Sequence, residues 1–97
     1  MLCGGVTPGL KPITPEVQAI ANKHKAHAEE QLGKHFSTWN AVGFSTQVVA
    51  GINYWIKIQV GDNQYVHIKV YQPLPHTGLE SSLTKAEGGK THADTFV

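Results

Sequence analysis

The 97-residue chain has one cysteine, Cys3, so it can form no intramolecular disulfide. It has no Asn-x-Ser/Thr sequon, and no apolar run near the roughly 20 residues a membrane-spanning helix needs. Charge of one sign is equally scarce. Eight Lys+Arg face seven Asp+Glu, a formal charge of +1 with no basic block. Nucleic acid and anionic membranes thus lose their main attraction, and neither is expected as a partner. The opening Met1-Leu2-Cys3-Gly4-Gly5 lacks the basic and apolar regions of a signal peptide. Together these absences predict a cytoplasmic protein. Catalytic and metal-binding constellations are missing too. Cys3 lies at a loose end, and His76 has no nucleophile to serve, so no enzyme is expected. His24 and His27 sit one helical turn apart, but no further Cys or carboxylate is placed to complete a zinc site. No cofactor is expected.

Hydrophobic residues make up 40% of the chain, alongside ten glycines, an ordinary composition for one soluble domain. The length predicts a single domain over residues 1–97 with one two-layer core. Residues 1–13, carrying Gly4, Gly5, Gly9, Pro8 and Pro12, read as a flexible N-terminal trunk. Residues 88–97, opening on Gly88-Gly89, read as a C-terminal tail, with Phe96 folding back onto the domain.

Thr14-Pro15-Glu16 is a helix start. Thr14 can cap, Pro15 suits the first helical position, and Glu16 complements the positive end of the dipole. Val17, Ile20, Ala21, His24, Ala28 and Leu32 then recur at helical spacing, up to a stop at Gly33. The pattern changes at Trp39. Residues 39–49 form a strand with a bulge or bend at Gly43. Ile52, Tyr54, Ile56, Ile58 and Val60 alternate with polar or amphipathic neighbours, a period of two. Gly61-Asp62-Asn63 is a turn, and Val66, Ile68 and Val70 continue the alternation over 64–72. Residues 79–87 could supply a last short strand with Leu79 and Leu83 as its apolar members. The fold class is therefore α+β: an antiparallel sheet of four to five strands wrapped around a single long α-helix.

One stretch breaks the rule that apolar residues go inside. In Gln47-Val48-Val49-Ala50-Gly51, a β-prone run enters a Gly at the tip of a hairpin. Leu74, held between Pro73 and Pro75, makes a second stiff apolar tip. Both follow an even number of strand crossings, so both face the same end of the meander, away from the Gly61 turn. A trunk emerging beside the first strand would complete one edge of three segments.

Gln47-Val48-Val49-Ala50-Gly51 resembles the Gln-x-Val-x-Gly signature of the cystatins, inhibitors of papain-like cysteine proteases. Met1-Leu2-Cys3-Gly4, Ile20-Ala21-Asn22, Ala41-Val42-Gly43-Phe44 and Leu74-Pro75-His76 follow in the family's order. The short length, the missing disulfides and the Leu-Pro loop are similar to the stefin branch. The chain departs from that branch at His24 and Ala28, where larger apolar residues are usual. It departs again in a shortened stretch after His76 and in the tail Thr95-Phe96-Val97.

The resemblance implies a reversible, tight-binding inhibitor of papain-like cysteine proteases of the cathepsin type. Its wedge would comprise Cys3, Gly4, Gln47, Val48, Val49, Ala50, Gly51, Leu74, Pro75 and His76. Such a wedge fills the substrate cleft without offering the thiolate a carbonyl in attack geometry. The expected state is a monomer. The alternative is a non-inhibitory interaction module on the same fold, or a domain-swapped dimer that exchanges the helix and first strand.

Overall fold

The computed structural model describes residues 11–74 and 78–91. Two helical segments, α1 (Pro15–Lys23) and α2 (Lys25–Leu32), precede four strands: β1 (Asn40–Val49), β2 (Gly51–Gly61), β3 (Gln64–Pro73) and β4 (Ser82–Lys90). The strands form one antiparallel sheet in the order β1-β2-β3-β4, a plain meander.

The helix begins where its cap predicts. Thr14 Oγ1 accepts a hydrogen bond from Val17 N at 3.3 Å, and Pro15 occupies the first turn. It ends at Gly33, whose φ of +66° is a left-handed conformation that glycine tolerates best. Between them the rod is divided at His24, which has φ −104° and ψ 9°. The cause is long-range. Trp39 Nε1 donates to the Ala21 carbonyl at 3.0 Å, and His24 N bonds the same oxygen at 3.2 Å, a tighter turn than an α-helix makes. A side chain inserted into the helical ladder is a recognised source of kinks. The expected helix is present, in two pieces.

Val17, Ala21 and Ala28 are buried against Ala41, Phe44, Ile56, Ile58, Val66, Ile68 and Val70. The small alanines let the helix approach the sheet closely. Further bonds hold it there: Ala41 N donates to Gln18 Oε1 at 3.0 Å, and Phe36 N to Glu29 Oε2 at 2.8 Å. The period-two alternation of β2 and β3 is realised in their register, with Ile56 opposite Ile68 and Ile58 opposite Val66. The register of β1 on β2 steps between Ala41 and Gly43, the bulge expected near Gly43. Asp62 and Asn63 form the β2–β3 turn, with Asn63 at φ 54°.

The opposite face of the sheet is not simply solvated. Lys57 is buried there, donating to the Thr91 carbonyl at 3.0 Å with its ammonium 5.6 Å from the Tyr65 ring centre. Lys69 lies 4.8 Å from the Trp55 ring centre. A lysine stem can cover apolar sheet surface while its charge finds a carbonyl and an aromatic face.

The last strand differs from the expectation over 79–87. It begins at Ser82 and runs to Lys90, taking in Gly88 and Gly89 from the predicted tail. Leu83 turns inward onto the core, whereas Leu79 stays outside the strand. The physical reason lies in the helix. Lys23 Nζ meets Glu80 Oε1 at 2.9 Å and His24 Nε2 meets Ser81 Oγ at 2.9 Å, so residues 80 and 81 are engaged before pairing with β3 starts. Phe96 lies outside the described residues.

Candidate functional site

The strand register fixes which loops share an end. Val49 pairs with Gly51 across the β1–β2 turn, and Gly51 pairs in turn with Pro73 at the end of β3. The first hairpin tip and the start of the β3–β4 connection are therefore adjacent. The Asp62-Asn63 turn sits at the other end of the sheet. The shared edge deduced from counting strand crossings is the observed one.

The tip is made by Ala50 alone, between the paired Val49 and Gly51. Gly51 has φ +133°, outside the range of residues with a Cβ. Space forbids a side chain as well. A Cβ there would lie 2.5 Å from the Gln72 carbonyl oxygen and 2.9 Å from Tyr71 Cε1 and Oη. Gln47 is half-buried opposite Asn53, supporting the base of the hairpin. Val48, Val49 and Ala50 are exposed, and so is Leu74 just beyond β3. Cys3, Gly4, Pro75 and His76 lie outside the described residues.

The described end of the trunk pairs with β1. Lys11 N donates to Phe44 O at 2.8 Å and Phe44 N to Lys11 O at 3.2 Å, an antiparallel bridge onto the free side of β1. Lys11 Nζ donates to Thr46 Oγ1 at 3.1 Å, further along toward the tip.

Two residues of this edge escaped the reading of the sequence. Leu79, read as an apolar member of the last strand, is 66% exposed in the β3–β4 connection. Tyr71, read only as an outward residue of β3, donates its hydroxyl to the Ala50 carbonyl. No local pattern marks either. Among the described residues the large exposed hydrophobics are Val48, Val49, Leu74 and Leu79, and all four stand at this one end.

Charge is nearly absent from the edge. Residues 47–51, 72–74, 78 and 79 carry no ionisable side chain. The nearest acid in sequence, Glu80, is held below the usual carboxylate range by its hydrogen bond from Lys23 and by the charge of that ammonium. An apolar, uncharged rim standing in water is a surface suited to a dry groove in a partner.

The comparisons with known proteins agree with this geometry. A family model described as "Cystatin domain" matches residues 4–93. The chain is 53% identical to Leukocyte cysteine proteinase inhibitor 1 of Sus scrofa over 97 residues, covering all of this chain and 93% of that protein. It is 46% identical to Cystatin-A of Felis catus and 44% identical to Cystatin-B of Bos taurus, each match covering all of this chain and 98% of the relative. The chain belongs to the cystatin family, on its stefin branch.

Proposed function

We propose that the protein inhibits papain-like cysteine proteases by seating one uncharged edge in the substrate cleft. The observation that carries this is the exposure of Val48, Val49, Leu74 and Leu79 on the first hairpin tip and the β3–β4 connection, which the register places at one end of the sheet. The relatives include a protein named as a cysteine proteinase inhibitor, and the protein is an inhibitor rather than an enzyme.

The wedge works by occupancy. Val48, Val49 and Leu74 supply apolar contact, Gly51 turns the chain back, and Gln47 steadies the hairpin. Leu79 extends the second loop's apolar surface. Pro75 and His76 complete that loop, while Cys3 and Gly4 follow the cleft on the trunk side. Residues 1–97 act as one inhibitory domain, and its place is the cytoplasm, a reading supported by the single Cys3. A cleft-filling interface of ordinary size buries about 1,600 Å² in total, enough for nanomolar or tighter binding if the wedge is preformed. With so little charge at the rim, affinity should change little with salt.

Titration of papain with the monomeric protein tests the proposal. Stoichiometric loss of peptidase activity at nanomolar enzyme is expected, reversible on dilution with substrate. Full papain activity at micromolar inhibitor would end it.

A further inference from the structure

We infer that the Tyr71 hydroxyl is a positioning group that holds the first hairpin tip in its binding shape. The inference deepens the inhibitor reading above and rests on it. Tyr71 is anchored from both sides, with Asn53 of β2 and Ser82 of β4 as its register partners. From that fixed base it reaches the tip. Its hydroxyl donates to the Ala50 carbonyl, and its ring edge stands where a Cβ on residue 51 would be.

The Ala50 carbonyl sits at the apex, beyond the last paired residues, where the β1–β2 ladder offers it no donor. Among the described residues the Tyr71 phenol is the one side chain that hydrogen-bonds to residues 48–51. It turns that carbonyl toward β3 and restrains a segment that ends in glycine, the residue with the most backbone freedom. Because Tyr71 lies three residues before Leu74, the same side chain couples the two apolar tips. Without the bond the tip samples other conformations, and only the fraction in the docking shape can bind. The loss then appears in the association rate. A lost direct contact with the protease would appear in the dissociation rate instead.

The test is Tyr71→Phe in the full chain, which deletes one oxygen and keeps the ring over Gly51. Association and dissociation rates with papain are measured beside the wild type, with the urea midpoint and amide hydrogen exchange at residues 49–51. The expected result is an association rate about two- to threefold lower, with about fivefold as the ceiling set by one net hydrogen bond of ordinary strength. An unchanged dissociation rate, a slightly lower urea midpoint and faster exchange at 49–51 should accompany it. Tyr71→Leu, which also removes the ring, should lose more, and the Phe variant carries the test should the Leu variant unfold. Wild-type rates and exchange in the Phe variant would overturn the inference, and so would a loss confined to dissociation. A wild-type protein that leaves papain active refutes the inhibitor reading separately. The exchange at 49–51 then still decides the staple: faster exchange in the Phe variant supports it, and unchanged exchange removes it.

Discussion

Val48 is the sharpest probe of the proposed wedge because it contributes so little to the fold. It is 81% exposed, one cross-strand pair back from the pair that flanks the tip. Its cross-strand neighbour Ile52 is half-buried, so replacing Val48 removes at most one pairing contact, worth about 0.2–1 kcal/mol. Binding should feel it far more. Burial of a methylene-sized group is worth about 0.8 kcal/mol, so Val48→Ala forfeits about 1.3 kcal/mol if most of its exposed surface is covered in the complex. That is roughly tenfold in affinity. Val48→Asp adds a carboxylate that must enter a dry cleft unpaired, for a combined cost above about 3 kcal/mol and a loss of at least about 100-fold. Papain titration for affinity and urea unfolding for stability, run on both variants, separate the two effects. The expected outcome is a graded affinity loss, Asp much greater than Ala, with stability within about 1 kcal/mol of wild type. Should Val48→Asp inhibit as well as the wild type, the hairpin tip does not enter the cleft and the wedge reasoning fails.

Leu79→Ala should weaken papain inhibition by roughly fivefold through faster dissociation, and leave the urea midpoint unchanged because the side chain is 66% exposed. An unaltered dissociation rate would return Leu79 to the bare surface of the loop. His24 should make the fold acid-sensitive. Burial first, then the neighbouring His27 and Lys23 charges, push its pKa below 6.5, while Nδ1 is buried with no hydrogen-bond partner among the described residues and Nε2 faces Ser81. The unfolded chain therefore takes up the proton first as pH falls. Stability from this group is complete above about pH 6.5 and is lost below it, through the window down to the depressed native value. His24→Leu should flatten that part of the urea-midpoint profile between pH 7.5 and 5. Equal slopes in wild type and variant would clear His24 of the role.

Local chemistry made most of the fold legible. Thr14 and Gly33 bracket the helix in the sequence and in space, because capping depends on neighbours a few residues away. The alternation through Ile56, Ile58, Val66, Ile68 and Val70 chose both the strands and their inward face. The hairpin tip stood out because Val48 and Val49 contradict the usual economy of burial. What escaped depends on partners far along the chain. The break at His24 needs the Trp39 indole, 18 residues from Ala21, and the late start of β4 needs Lys23 and His24, 57 residues from Glu80 and Ser81. Tyr71 fits an outward strand position perfectly well, so its reach to Ala50 leaves no trace in the periodicity.

The rim and the core are set by one register. The pairing that places Ile56 opposite Ile68 and Ile58 opposite Val66 also places Gly51 opposite Pro73 and Asn53 opposite Tyr71. Sliding β3 by one residue would send Val66, Ile68 and Val70 to the outer face and bring Lys69 and Tyr71 inward. Each aliphatic side chain lost from the core costs about 1.5–3 kcal/mol, so the slip is prohibited by several such terms at once. Tyr71 consequently meets Ala50 without any contribution from the rim itself, and the exposed valines need do nothing to hold their own position. That separation explains why an apolar edge can be kept in water. The aliphatic face beneath the helix supplies the energy that fixes the register, and the exposed Val48 and Val49 are left to meet a partner.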